Sequence, residues 1–539
     1  MNPWWEETVI YQIYPRSFQD SNGDGIGDIR GIINRLQYIQ DLGVGAIWLS
    51  PIFTSPMADF GYDISDYRGI DPIFGTLADV RELIATAHRM GLKVLFDMVL
   101  NHTSDQHAWF QESRASKDSK KKDYYIWSDT IPNNWYSAFG GKGWSFDSVR
   151  GQYYFHSFLR EQPDLNWRNE ETVLAIFDEV GFWLEEGVDG FRLDVINCII
   201  KDDSFRSNPP MVGSRLRPYD MQRHIFDRNR PESHQKLRKF RKCIDTYDER
   251  MLVGEIMVER PGEPEMAASY LGKNKDELNL TFDFSLIELP FDARKWQTAA
   301  QRWYEAVGRQ RWPTWVLNNH DVKRSITRYG NNTAKAKLAT FFLLTQRGTV
   351  FLYYGEELGL LNSVVSHKEM NDPVGLRYWP VKVGRDGERG PMLWDASEKH
   401  GFTTGKPWMP FARQCEGLSV EEQKNEPFSM LAFYKDLIRL RAQDNVLQEG
   451  LCTFCKTDNQ KILAYTRTLG KEKRLVLLNF SSKNQSVTLL EEPDATIQYS
   501  SLFSTQIATS SLSSGDGKFS LKPYQGTLFL CEGKIPVQA

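Results

Sequence analysis

Short apolar runs alternate with longer amphipathic stretches over most of this chain, and that rhythm constrains the fold more than any other feature. Thr8–Tyr14 reads as a strand and Gly31–Leu42 as a helix, then Gly45–Leu49 as a strand and Leu77–Met90 as a helix. Lys93–Asp97, Thr172–Glu186 and Gly190–Val195 continue the series as strand, helix and strand. Met251–Glu255, Thr314–Asn318 and Thr349–Tyr353 repeat the strand pattern further on. Apolar strands joined by helices belong to a parallel sheet covered on both faces. About eight such units over roughly 450 residues fit an α/β fold, a closed (β/α)8 TIM barrel with long insertions.

Two stretches break the rhythm. Residues 102–167 are rich in Trp, Tyr, Gly, Ser and Lys with little helical periodicity, and read as a subdomain inserted after the third strand. From 451 the pattern turns to period two, as in Lys461–Tyr465, Arg474–Asn479 and Gly526–Cys531. Residues 451–539 are therefore expected to form a separate antiparallel β domain, a sandwich. The barrel itself takes 1–101 and 168–450.

With 539 residues and a formal net charge of -4, the chain lacks the basic excess of a nucleic-acid partner. The start, MNPWWEETVIYQIYP, has no basic stretch followed by an apolar core and is not read as a signal peptide. No run approaches the ~18 apolar residues of a membrane span. Cys452-x-x-Cys455 has zinc or redox spacing, yet no second pair or nearby His completes a site. A reduced, cytoplasmic protein with no membrane partner is expected. The 16 Trp, 22 Tyr and 31 Phe suit core packing first and sugar faces second.

In such a barrel, reactive groups gather at the C-terminal ends of the strands. The third strand runs through Asp97 into Asn101-His102, and the fourth ends in Arg192-Leu-Asp194. The fifth ends in Glu255 and the seventh in Asn318-Asn319-His320-Asp321. One acidic strand end is equally well read as the cap of the next helix. Four together describe a pocket. No nucleophile elbow, dinucleotide fingerprint or P-loop competes with it. Converging carboxyls suit cleavage of an acetal, where an ionised carboxylate attacks the anomeric carbon and a protonated carboxyl protonates the leaving oxygen. Arg192, two residues before Asp194 on the same strand face, favours its ionised form. Glu255 has no basic neighbour on its own strand, Arg260 lying beyond it, and keeps its proton more easily. Asp194 is then the nucleophile and Glu255 the general acid/base.

The segments DMVLNH (97–102), GFRLD (190–194), GE (254–255) and NNHD (318–321) resemble the signature regions of the α-amylase superfamily. The likeness covers essentially the whole chain. It implies the same two roles, adds Asp321 as transition-state stabiliser, and puts His102, Arg192 and His320 against the glucose at the cleaved bond. Gln162-Pro-Asp-Leu-Asn-Trp167 is similar to the QPDLN segment of the oligo-1,6-glucosidase and α-glucosidase branch, which adds Gln162 to the substrate residues. Asp59-Phe-Gly-Tyr62-Asp63 and Gly384–Arg389 resemble the segments that close the pocket around a terminal glucose. By that likeness Tyr62 stacks on the sugar, while Asp59 and Arg389 bind its outer hydroxyls. Val195, after the nucleophile, is similar to members that cleave α-1,6 bonds. Phe60, Lys323, Gly390 and the Ile256–Glu259 stretch depart from the branch's usual pattern.

Near the start, Asp20-Ser-Asn22-Gly-Asp24-Gly-Ile26-Gly-Asp28 sets oxygen-bearing side chains at alternate positions, with glycines for a tight turn, as a hard cation requires. It resembles the first part of an EF-hand loop without the twelfth-position Glu. The branch resemblance implies a structural Ca²⁺ (or Mg²⁺) held through Asp20, Asn22, Asp24, the Ile26 carbonyl and Asp28. No organic cofactor is expected.

The expected activity is exo-acting, retaining α-glucosidase action on short oligosaccharides, α-1,6 bonds first and α-1,4 second. Transglucosylation and sucrose isomerisation share the glycosyl-enzyme intermediate and stand as the alternative. A non-catalytic, transport-associated barrel is the reading from another class; such relatives carry a span and have lost catalytic residues. A monomer or weak oligomer is expected.

Overall fold

A computed structural model describes residues 2–212, 217–258, 263–381, 383–490, 497–506 and 517–533. Eight strands make one sheet: β1 (Val9–Ile13), β2 (Ala46–Leu49), β3 (Lys93–Val99), β4 (Gly190–Asp194), β5 (Met251–Gly254), β6 (Leu280–Thr281), β7 (Thr314–Val316) and β8 (Thr349–Tyr353). Their order is β6-β5-β4-β3-β2-β1-β8-β7, every neighbouring pair parallel. The Thr314 hydroxyl of β7 donates to the Thr281 carbonyl of β6 at 2.6 Å, which draws the two ends into a nearly closed barrel.

Alternation along each strand divides the core into two layers. Ile10, Trp48, Leu95, Val253, Val316 and Phe351 fill the barrel. Tyr11, Ile47, Phe96, Phe191 and Leu352 pack outward against the helices. Each such side chain, fully buried, contributes about 1.5–3 kcal/mol, so the barrel is a packed plug and its open chemistry is confined to one end. Gly190 belongs to that packing, since a Cβ there would stand 2.2 Å from the Met251 carbonyl.

The helices depart from expectation in places. Gly31–Leu42 is two helices, Ile29–Asn34 and Leu36–Leu42, parted at Arg35 with φ -109° and ψ 4°. The helix Leu77–Arg89 opens on a capping box of Thr76 and Asp79. Between β3 and β4 lies a helix that the sequence pattern did not predict, Ala108–Ala115, its start capped by His107 Nδ1 accepting from the Trp109 amide at 3.0 Å. Beside it is a three-stranded antiparallel sheet of Trp127–Ser128, Gln152–Phe155 and Trp144–Asp147.

The C-terminal strands are β9 (Leu451–Phe454), β10 (Ile462–Leu469), β11 (Glu472–Asn479), β12 (Gln485–Thr488), β13 (Ile497–Ser504), β14 (Lys518–Leu521) and β15 (Gly526–Gly533). They form an antiparallel sheet in the order β9-β10-β11-β15-β13 and a separate pair, β12 with β14. Leu475, Leu477, Val487, Phe519 and Phe529 share one apolar cluster across the two. Buried Arg467 fastens this unit to the barrel, donating to the Thr345 carbonyl at 2.7 Å and the Gly450 carbonyl at 2.9 Å. Among the described residues no disulfide forms, and no helix is long and apolar enough to cross a membrane.

Candidate active site

The inward series of side chains, apolar at the barrel's base, turns polar one step further along the strands. Gln12 follows Ile10, Asp97 follows Leu95, and Arg192 and Asp194 follow Gly190. Asp97 stands opposite Arg192, and Val99 opposite Asp194. Glu255 continues the inward positions of Met251 and Val253, its amide donating to the Leu193 carbonyl at 2.9 Å. The strand registers thus carry three carboxyls and one guanidinium to a common point.

Arg192, with its side chain 1% exposed, is the hub. Nη1 donates to Asp97 Oδ1 at 2.8 Å and to Asp194 Oδ1 at 2.7 Å, while Nη2 donates to Glu255 Oε2. This corrects the expectation that Arg192 serves Asp194 alone: it reaches both carboxyls, so it does not by itself tell nucleophile from acid. Arg260 and Glu259, invoked beside Glu255 in the sequence, lie outside the described residues. Burial pushes Asp97 up to about 6 and raises Asp194 and Glu255 as well, Arg192 opposing the rise in each case. A single cation cannot neutralise three buried carboxylates, so the set holds protons that free carboxyls would lose.

Asp321 sits in the opposite electrostatic setting. Arg389 Nη2 donates to its Oδ1 at 2.9 Å, Arg385 Nη1 donates to the same oxygen at 3.1 Å, and His320 Nε2 is 3.3 Å from Oδ2. Burial works against ionisation, but Arg385 and Arg389 outweigh it and hold Asp321 well below the usual carboxylate range. Arg385 also donates to Asp59 Oδ1 at 2.8 Å and to Asp372 Oδ1 at 2.6 Å. Asp59 follows the amide of a tight loop in which Asp63 accepts from the Ala58 and Asp59 amides at 2.8 and 2.9 Å. Tyr62 lies parallel to His320, ring centroids 5.3 Å apart, and its hydroxyl donates to Asp97 Oδ2 at 3.0 Å. Burial lowers His102 to about 4 and His320 to about 3, leaving both rings neutral.

These groups face a cavity of about 260 Å³, near the lower end for a small-ligand pocket. Asp59, Tyr62, His102, Asp194, Glu255 and Asp321 line it. Gln162, Arg192, His320 and Arg389 stand behind that lining: Gln162 Nε2 lies 3.2 Å from His102 Nε2, and Arg389 Nε donates to the His320 carbonyl at 2.8 Å. The arginine on the pocket wall is Arg385, four residues earlier in the same motif and missed in the sequence. Phe139 and Phe158 from the segment between β3 and β4, with Arg217, Tyr219 and Met257 from loops after β4 and β5, complete the wall. No spacing rule could have found these loop residues.

Strand β4 ends at Asp194, one residue short of the predicted Val195. Val195 has φ 36° and ψ 43°, a left-handed conformation that a β-branched residue rarely adopts. Strain of this kind, of order 1–3 kcal/mol, persists where surrounding structure imposes it. Here it turns the chain sharply after the Asp194 side chain.

The Asp20–Asp28 loop is closed on itself. Asp20 Oδ1 accepts from the Asn22 and Gly23 amides at 2.9 and 2.7 Å, Asn22 Oδ1 from the Asp24 amide at 2.9 Å, and Asp24 Oδ1 from the Ile26 amide at 2.8 Å. Gly23 and Gly25 take φ of 87° and 93°, and a Cβ on Gly25 would stand 1.8 Å from the Lys406 carbonyl. Among the described residues no three His, Cys, Asp or Glu side chains converge as a metal site. A cation here would need the Asn22 amide oxygen and the Ile26 carbonyl besides the carboxylates. The donor set, all oxygen on a tightly wound loop, suits a hard ion.

A family model for the alpha amylase catalytic domain matches residues 12–450, and one for the alpha-amylase SusG C-terminal domain matches residues 462–527. A probable alpha-glucosidase of Rhizobium meliloti (strain 1021) is 43% identical over 500 residues, covering 89% of this chain and 90% of its own. An oligo-1,6-glucosidase of Parageobacillus thermoglucosidasius is 40% identical, covering 89% and 91%. Among solved structures, the alpha-glucosyl transfer enzyme XgtA superposes with a TM-score of 0.93 at 40% identity, over 99% of this chain and 100% of that one. The trehalulose synthase MutB from Pseudomonas mesoacidophila MX-45 gives 0.91 at 32% identity, again over 99% and 100%.

Proposed function

This chain belongs to the α-amylase family of glycoside hydrolases, and from that premise we propose that it is an exo-acting, retaining α-glucosidase that removes terminal glucose from short oligosaccharides, α-1,6-linked ones foremost. The observation that carries this reading is the joined pocket floor, with Arg192 holding Asp194 and Glu255 on one side and Arg385 tying Asp59 to Asp321 on the other.

In this reading a terminal glucose enters with its outer hydroxyls toward Asp59 and Arg385 and its ring over Tyr62. Asp194 attacks the anomeric carbon as Glu255 gives its proton to the leaving oxygen, and a β-glucosyl ester on Asp194 results. Arg192 stabilises the Asp194 carboxylate before attack and the deprotonated Glu255 afterwards, which suits its contact with both. Glu255 then takes a proton from water, whose oxygen attacks the same carbon and frees Asp194 with net retention. Asp321, kept ionised by its two arginines, faces the positive charge that grows on the sugar ring.

A second reading has its own support. XgtA is named an alpha-glucosyl transfer enzyme and MutB a trehalulose synthase, and they superpose over nearly the whole chain. Transfer and isomerisation differ from hydrolysis only in what accepts the glucosyl group. Initial rates and products on isomaltose, maltose, sucrose and longer dextrins separate the cases. We expect glucose released first as the α-anomer, isomaltose preferred, and no internal cleavage of dextrins. Internal products or the β-anomer would refute the proposal; new saccharides in place of glucose would favour transfer. We also assign a structural Ca²⁺ or Mg²⁺ to the Asp20–Asp28 loop, held by Asp20, Asn22, Asp24, the Ile26 carbonyl and Asp28, where it would brace a segment joined to the loop at Thr403.

A further inference from the structure

A second cavity, of about 450 Å³ against about 260 Å³ for the catalytic pocket, shares one lining residue with it, Gly384. Its size is ordinary for a small-ligand site. Leu361, Val364, Val365 and Val383 give it an apolar wall, and Lys323 and Arg413 give it two cations. Val364 and Val383 stand 50% and 48% exposed, so apolar surface is left in water at this one cavity. We propose that it is an effector site for a short aliphatic carboxylate, separate from the substrate pocket, and that its occupancy favours substrate binding. The effector's own binding is independent of the α-glucosidase reading; its coupling to the substrate rests on that reading.

The lining selects for negative charge and against a sugar. The Lys323 and Arg413 side chains make no ion pair among the described residues, so their charge is open to an anion. Glu388 is the one acid on the described lining. Burial pushes its carboxyl up to about 8, so at neutral pH it carries a proton and does not repel an anion. Ser363 Oγ is buried with no hydrogen-bond partner among the described residues, and Asn331 adds an amide. No Trp, Tyr or Phe among the described residues lines the cavity, so it has no flat face on which a sugar ring would rest. A bare phosphate would leave the aliphatic wall in water, and a neutral hydrocarbon would leave the two cations unused. A carboxylate on an aliphatic chain answers both.

The wall between the two cavities is the turn Gly384–Arg389. Arg385 faces the catalytic pocket, Gly384 both cavities, and Gly387 and Glu388 the second one. On the second side the turn is fastened by the Ser363 amide, which donates to the Gly387 carbonyl at 2.7 Å, and by Asn362 Nδ2, which donates to Glu388 Oε2 at 3.1 Å. On the catalytic side its two arginines hold Asp321, and Arg385 also holds Asp59. The second cavity has this shape only while the turn keeps the place that sets both arginines on Asp321. A ligand that fills it therefore favours that arrangement, and such differential affinity is what shifts a conformational population. The link is reciprocal: glucose in the catalytic pocket tightens the carboxylate by the factor by which the carboxylate tightens glucose.

Calorimetry on the unaltered protein with hexanoate, acetate, hexanol and hexylammonium separates charge from chain. Hexanoate should bind tightest. Acetate, which lacks the chain, should be at least about tenfold weaker, since each buried methylene corresponds to about fourfold. Hexanol, which lacks the charge, should lose about tenfold, and hexylammonium should not bind. Arg413→Met should weaken hexanoate about tenfold and leave hexanol where it was, an outcome that a loss of folded protein does not mimic. Saturating glucose should leave the hexanoate site open and tighten it, and hexanoate should lower KM for isomaltose with kcat little changed. No binding of hexanoate, hexanol binding as well as hexanoate, or displacement of hexanoate by glucose overturns the site. Hexanoate bound alongside glucose with KM unmoved overturns the coupling. Hexanoate binding without any turnover of isomaltose removes the α-glucosidase reading and leaves the site standing.

Discussion

Arg192 carries one positive charge among Asp97, Asp194 and Glu255, whose side chains are 0%, 10% and 14% exposed. Removing it leaves three buried carboxyls without their cation. Arg192→Met should therefore cost about 3–5 kcal/mol of stability. The sign of the kinetic effect also follows: without the cation the charged forms are disfavoured, every carboxyl in the set rises further, and the acid limb of kcat/KM moves to higher pH. A pH profile of the variant against the parent, with unfolding curves for both, measures the two effects. An unmoved acid limb would show that Arg192 does not govern the pair. Residues are also where sequence reading met its limit. Asp194, Glu255 and Asp321 were legible because strand ends at one barrel face converge. Arg385 and Arg389 sit in the same short helical turn, Asp386–Arg389 and the residue before it, and nothing local tells which one turns toward the pocket. That choice is made by Asp59 and Asp372, distant in sequence, which draw Arg385 to the wall.

Among elements, strands with long apolar runs declared themselves and those without did not. Strand β6, Leu280–Thr281, has two residues and no period to detect. The helix Thr333–Thr345 is buried on nearly every face, so it has no amphipathic stripe to read. The break at Arg35 has neither proline nor glycine to announce it. Within the chain we propose 102–167 as the inserted unit and 451–539 as the C-terminal one, with the barrel made of 1–101 and 168–450. The Asp20–Asp28 loop belongs to this scale because its proposed ion would stabilise an element. At a hundredfold excess over Kd, a bound cation adds about 2.7 kcal/mol. Chelation should lower the Tm, Ca²⁺ or Mg²⁺ should restore it, and Asp24→Ala should remove the difference. An unchanged Tm together with no binding heat would dismiss the ion.

Several acids are buried where desolvation outweighs the charges and hydrogen bonds that favour their ionised form. Burial pushes Glu388 up to about 8 and Glu356 to about 7, Arg389 opposing at Glu388 and hydrogen bonds from Asn318 and Tyr434 opposing at Glu356. Both folded values lie above the 4.5 of the unfolded chain, so the stability these groups lend is complete below 4.5, falls as pH rises above it, and is fully lost once pH has passed 7 and 8. Each proton involved is worth about 1.4 kcal/mol per pH unit. His102 and His320 are neutral in the fold across that range and add no opposing slope from the folded side. Thermal unfolding should thus shift to lower temperature between pH 7 and 8.5, and Glu388→Gln should show a shallower decline, its amide keeping the bond that Asn362 Nδ2 makes at 3.1 Å. Equal slopes in parent and variant would assign the pH dependence to other groups.

The mechanism turns on a covalent sugar at Asp194, joined by Arg192 to the acid that creates it. A slowly released fluorinated α-glucosyl fluoride tests this directly by intact-mass measurement and peptide mapping. The prediction is one added fluoroglucosyl unit, located on Asp194 in the strand Gly190–Asp194. An adduct on another residue, or turnover to the inverted anomer with no adduct at all, would contradict it.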